Sequence, residues 1–255
     1  MNKIFETHAH YDARQFDGDR EEVLNSAYEA GIEKIVNVSS SLASCEKSVE
    51  LSQKFPFVYA AVGVHPDEVG ALNEDTFAWM KNLYANEKVV AVGEIGLDYY
   101  WNTEPHAVQK QWFIKQLHLA RELNLPVIVH SRDAAADTLE VIKEYGKGLR
   151  GVIHCFSYSA ELAMEYVKLG YYIGVGGVVT FPNGRKLKEV VQAVPLEWIV
   201  LETDCPYLSP APNRGKRNVS GNLVYIAQEI AELKGVGYGQ VVLQTWKNAE
   251  KLYAI

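Results

Sequence analysis

The chain has 255 residues, 48% of them hydrophobic and 22% charged, with a formal charge of −7. This fits a soluble globular protein and argues against a basic, nucleic-acid-coating protein, although a local positive site remains compatible with it. The three cysteines make no disulfide framework, no apolar leader precedes the first strand, and no apolar run approaches the roughly 20 residues of a membrane span. The expectation is a cytoplasmic protein with no membrane association.

Short β-branched runs alternate with longer amphipathic segments. The predicted strands are Ile4–Thr7, Lys34–Val38, Val58–Val62, Val89–Gly93, Val127–Val129, Gly151–Ile153, Tyr172–Val175 and Trp198–Glu202. Their nearly continuous apolar character is that of buried parallel strands. Helical patterns lie between them. DREEVLNSAYEAG starts with acids and stops at Gly31, and LASCEKSVELSQKF follows the second strand. HAVQKQWFIKQLHLARELN is the longest, DAAADTLEVIKEYG and SAELAMEYVKLG end at glycine, and Leu223–Lys234 and Gln240–Leu252 close the chain. No repeat or linker divides the sequence. Residues 1–255 therefore read as one domain, an α/β protein built as a (β/α)8 TIM barrel, with an open doubly wound sheet as the other arrangement of such strands.

The polar residues at the strand ends carry the functional signal. His8 and His10 follow the first strand, His65 the third, Glu94 the fourth, His130 the fifth, His154 the sixth and Asp204 the eighth. The C-terminal strand ends of a barrel form one face, where active sites sit. Residues i and i+2 of a strand point the same way, so His8 and His10 can address one ion. His8, His10, Glu94, His130, His154 and Asp204 are too many for one tetrahedral zinc. They suit two divalent ions about 3.5–4 Å apart with Glu94 as the bridge. Mixed imidazole and carboxylate ligands favour zinc, manganese or iron over calcium. His106 and His118, on the long helix, read as ordinary helix residues. Cys155 and Cys205 adjoin ligand candidates but are expected to pack.

The motifs THAHYD, GVHP, VGEIGLDYY, VIVHSRDA, IHCFS, ETDCPYL and RGKRN together resemble the TatD-type metal-dependent deoxyribonucleases of the amidohydrolase superfamily, from His8 through Asn218. The resemblance implies a TIM-barrel hydrolase that cuts DNA phosphodiester bonds with two divalent ions per chain; zinc, manganese and magnesium are the candidates. It implies that His8, His10, Glu94 and Asp204 hold one ion and Glu94, His130 and His154 the second. Many amidohydrolases bridge their metals with a carboxylated lysine; Glu94 in that place favours the nuclease branch. The chain departs from the family pattern at Tyr158, where glycine is common, and at Val219-Ser220, where Glu-Pro is common.

The expected reaction is attack of an activated water on phosphorus, with Glu94 and Asp204 as the catalytic carboxylates and Asp204 orienting or deprotonating the water. Substrate contacts are expected from His65, Arg132, Arg214 and Arg217, with Lys216 in the same positive run. Tyr99, Tyr100 and Trp101 would stack on bases if exposed. The expected partner is DNA, as single strands or ends, bound by a monomer. The same centre also suits another ester or amide bond, such as D-aminoacyl-tRNA or a small phosphoester. A non-catalytic metal-binding protein would not need six converging ligands.

Overall fold

The computed structural model describes residues 3–101 and 103–255. Its strands are β1 (Ile4–Ala9), β2 (Ile32–Val38), β3 (Val58–Val62), β4 (Val89–Asp98), β5 (Val127–Arg132), β6 (Gly151–Ile153), β7 (Tyr171–Val175) and β8 (Ile199–Leu201). All neighbours pair in parallel, in sequence order. The helices are α1 (Arg20–Glu29), α2 (Leu42–Lys54), α3 (Glu74–Leu83), α4 (His106–Leu123), α5 (Ala135–Tyr145), α6 (Ala160–Lys168), α7 (Arg185–Ala193), α8 (Leu223–Lys234) and α9 (Tyr238–Tyr253). Among the described residues no helix is long and apolar enough to cross a membrane.

The sheet closes where β1 meets the segment after β8. Thr7 Oγ1 donates to Leu201 O at 2.8 Å, Asp204 N to His8 O at 3.0 Å and His10 N to Cys205 O at 2.8 Å. The fold is thus a TIM barrel, and its seam runs through three of the predicted site residues. One buried cluster takes at least one residue from every strand: Phe5, Val36, Ala61, Val90, Ile128, Val152, Tyr172 and Val200. On α9, Ala249, Leu252 and Tyr253 pack against it, and Tyr253 Oη donates to Thr7 O at 2.9 Å. His130 and His154 stand two residues beyond Ile128 and Val152, on the same side of their strands.

The structure differs from the sequence expectation at several bounds. Strand β1 runs on to Ala9 and β4 to Asp98, so His8 and Glu94 lie within strands rather than after them. Glycines at 93 and 96 mask the extended β4 run. Helices α3 and α7 were not anticipated. The first is marked by an Asn73 cap whose side chain accepts from the Thr76 amide, with Thr76 Oγ1 accepting from the Asn73 amide. The second is short and basic and buries only Leu187, Val190 and Val191. Trp198 belongs to a 3-10 turn, and β8 starts one residue later.

Gly96 has φ +146°, and a Cβ there would lie 2.0 Å from His130 O. Only glycine fits this approach of β4 to β5. Gly96→Ala is expected to cost about 2–4 kcal/mol in urea unfolding, from backbone strain and overpacking. An unchanged unfolding midpoint would contradict this packing.

Candidate metal centre

The barrel mouth gathers the predicted residues around one carboxylate. Glu94 is 3% exposed, and its amide donates to Ser39 O at 2.9 Å. Its two oxygens face different groups. Oε2 lies 3.5 Å from His8 Nε2 and 3.7 Å from His10 Nε2. Oε1 lies 2.8 Å from His130 Nδ1 and 3.4 Å from His154 Nε2. Asp204 Oδ1 joins the first group, 3.2 Å from His10 Nε2 and 3.9 Å from His8 Nε2. Donor atoms of His8, His10 and Asp204 lie within 4.8 Å of one another, as do those of Glu94, His130 and His154.

The chemistry of these donors fits divalent cations. His8 Nε2 and His10 Nε2 are 3.1 Å apart, so two imidazole nitrogens converge on one point beside two carboxylates. His10 Nδ1 lies 2.7 Å from Val38 O, a contact it can make only as a donor. Nε2 is therefore the nitrogen that faces Asp204 and Glu94, and the one an ion would take on displacing its proton. His130 Nε2 lies 3.0 Å from Asp98 Oδ2, which turns Nδ1 toward Glu94. Burial opposes ionisation of Glu94, but His154, His130 and His8 hold its pKa well below the usual carboxylate value. Burial also opposes ionisation of Asp204, and His10, His154 and His8 hold its pKa down.

Asp98 and Glu202 were missed in the sequence. Asp98 Oδ2 faces His130, while its Oδ1 accepts from Tyr100 N at 2.9 Å and Trp101 N at 3.1 Å. It thereby ties the centre to the loop after β4. The signal was the even spacing from Glu94 to Asp98 along one strand. Glu202 lies beneath His154, two residues before Asp204. Cys155, expected to pack, is half-buried with donor atoms of His154 and Asp204 in reach. Burial, with Asp204, Glu202 and Glu94, pushes its thiol well above its ordinary pKa, so it stays protonated.

The predicted substrate residues divide. His65 lies at the cleft, its ring 4.3 Å from that of His130. Its Nδ1 accepts from Asp67 N at 3.2 Å, which leaves the proton on Nε2. Burial, then His130, lowers its pKa to about 3, so it is neutral at working pH. Arg132 is exposed and lines the cleft, with its guanidinium 3.8 Å from the Tyr100 ring centre and 5.4 Å from that of Trp101.

Arg214 and Arg217 do not line this cleft. Arg214 lies on the Phe181 ring at 3.8 Å. Arg217 makes a two-pronged pair with Asp19, at 2.8 and 2.6 Å, and donates to Gln15 O at 2.7 Å. The two arginines of the densest positive run are therefore engaged with Phe181 and Asp19 rather than with the cleft. Arg14 and Lys47, both exposed, line the cleft with Arg132 instead. The aromatic trio also splits. Tyr99 stacks on His106 at 3.5 Å and donates to Asp137, whereas Tyr100 and Trp101 are exposed.

A parallel barrel that collects imidazoles and carboxylates at its C-terminal mouth has the architecture of a metal-dependent hydrolase. The chain belongs to the TatD-related DNase family, whose model matches residues 5–254. It is 44% identical to the Bacillus subtilis protein named uncharacterized metal-dependent hydrolase YabD, over 99% of both chains. It is 33% identical to the 3'-5' ssDNA/RNA exonuclease TatD of Cronobacter sakazakii, covering 98% of this chain and 97% of the relative. Among solved structures, the TatD homolog YJJV of Escherichia coli K12 superposes with a TM-score of 0.93 at 30% identity. That match covers 100% of this chain and 99% of the other.

Metal uptake by this hydrolase is expected to depend on pH. Burial opposes charge on His10, but Asp204, Glu94 and Asp12 raise its pKa to about 10. Burial opposes charge on His130, but Asp98 and Glu94 raise it to about 9. These shifts favour the protonated form of both imidazoles at neutral pH, so ion binding competes with their protons. Apparent affinity for Zn2+ should rise as pH increases from neutrality and level off above the His10 value. Calorimetry in two buffers of different ionisation heat should show proton release at neutral pH. A pH-independent affinity without proton release would contradict this.

Proposed function

We propose that the chain is a two-ion nuclease that hydrolyses phosphodiester bonds at single-stranded DNA ends. The observation that carries this reading is the division of the Glu94 oxygens between two donor groups beneath a cleft of about 800 Å3 with a cationic and aromatic rim. His8, His10, Glu94 and Asp204 would hold one ion and Glu94, His130 and His154 the other. Bound divalent cations supply Lewis acidity, which makes water a stronger nucleophile near neutral pH and offsets phosphate charge. The relative named as a single-stranded DNA and RNA exonuclease supports the substrate class.

The protein groups supply the remaining chemistry. Asp204 is the more open of the two central carboxylates, its side chain 16% exposed against 4% for Glu94. It would orient the attacking water and take its proton. His65 Nε2–H and the Arg132 guanidinium would donate to non-bridging phosphate oxygens. Tyr100, Trp101 and Tyr207 are 53%, 60% and 49% exposed, and each offers a face on which a base can stack. Stacking suits an unpaired strand, because every base has a π-face and a paired base is not free to use it.

Asp204→Ala, with metal supplied, should lose at least 100-fold in kcat on end-labelled single-stranded DNA while remaining folded. Near-normal turnover would remove its catalytic role. Arg132→Ala should weaken binding of the same strand and reduce its salt-dependence slope by about 1. Trp101→Ala should cost about 1–3 kcal/mol in strand binding, with duplex binding little changed. Hydrolysis of carboxylic esters by the wild-type protein without cleavage of DNA would overturn the nuclease reading.

A further inference from the structure

Three buried polar atoms at the floor of the centre lack hydrogen-bond partners: His8 Nδ1, His154 Nδ1 and Glu202 Oε2. They belong to one cluster. Donor atoms of His8, His154 and Glu202 lie within 4.8 Å of one another. Two orphaned imidazole nitrogens and one orphaned carboxylate oxygen are complementary once each imidazole carries its proton on Nδ1.

We propose that Glu202 is a shared positioning carboxylate, holding His8 and His154, one ligand from each ion site, with Nδ1 protonated and Nε2 turned to the metals. The inference rests on the two-ion reading above. The rings of His8 and His154 stack at 3.6 Å and 15°, so Glu202 approaches both, closer to His154 than to His8, of which no ring nitrogen lies within 4.0 Å of its carboxylate. Their Nε2 atoms already face Glu94, at 3.5 and 3.4 Å. The Nδ1 atoms are therefore the ones left for a group on the other side.

Glu202 is fully buried and arranged for this task. Its Oε1 accepts from Cys155 N at 2.6 Å and lies 3.3 Å from His154 Nδ1, off line for a hydrogen bond. A turn of the carboxylate would line Oε1 up with His154 Nδ1, and in the proposed arrangement the unpartnered Oε2 closes on His8 Nδ1 when the ions bind. The neighbouring strand makes room: a Cβ on Gly174 would stand 2.4 Å from Glu202 Oε2. Glu6, the other fully buried acid near the seam, has no spare oxygen. Its Oε1 accepts from Thr203 N and His8 N, and its Oε2 from Thr203 Oγ1. Carboxylates that hold the far nitrogen of a ligating histidine fix its tautomer and raise its basicity.

The test measures metal binding rather than turnover. Zn2+ affinity and stoichiometry are read by chelator competition on wild-type protein and on E202Q, which keeps the shape and removes the charge. E202Q is expected to bind both ions at least tenfold more weakly. Unchanged affinity at either site overturns the proposal, while two ions on the wild-type protein leave the two-ion reading standing. Fewer than two ions on the wild-type protein contradicts that reading and the proposal with it. Should E202Q not fold, 15N-histidine NMR of zinc-loaded wild-type protein decides. It should show His8 and His154 both protonated at Nδ1 and metal-bound at Nε2. Metal on Nδ1 of either ring overturns the proposal.

Discussion

Glu94 is a carboxylate buried at the centre of a barrel mouth, ringed by His8, His10, His65, His130 and His154. An isolated buried carboxylate costs several kcal/mol in lost hydration. The imidazoles around it more than offset this, since they hold its pKa down despite burial. The rest of the centre follows from that placement. Each oxygen gathers its own histidines, Asp204 closes one group, Asp98 sits behind His130 of the other, and Glu202 lies beside His154 and the His8 ring stacked on it.

The barrel makes the convergence geometric rather than local. The seam bonds between β1 and the segment after β8 run through His8, His10 and Asp204. Closing the sheet and assembling one group of donors are therefore the same event. The β4–β5 register sets Gly96 beside His130 and Asp98 beside Arg132, which carries the pattern outward. Asp98 then links His130 to the amides of Tyr100 and Trp101, so the rim loop and the metal centre share one anchor.

Much of this was legible in the sequence because strand ends in a barrel share one face. His8, His10, Glu94, His130, His154 and Asp204 could be listed before any coordinates, and the structure brings all six together. Groups acting behind the donors were harder to read. Asp98 lies past a glycine that hides the continuation of β4, and Glu202 looks like the end of an apolar strand. The positive run at Arg214–Arg217 misled because a charge count does not reveal partners. Asp19 and Phe181, remote in sequence, take up its two arginines. The exposed cations of the cleft, Arg14, Lys47 and Arg132, come from the β1–α1 connection, helix α2 and the end of β5, and form no run at all.

The central claim is that Glu94 bridges two ions. Anomalous diffraction from crystals soaked in zinc or manganese tests it most directly. The account predicts two peaks about 3.5–4 Å apart, one beside Oε2 with His8, His10 and Asp204, the other beside Oε1 with His130 and His154. A single peak, or two peaks that leave Glu94 out of both coordination shells, would contradict it.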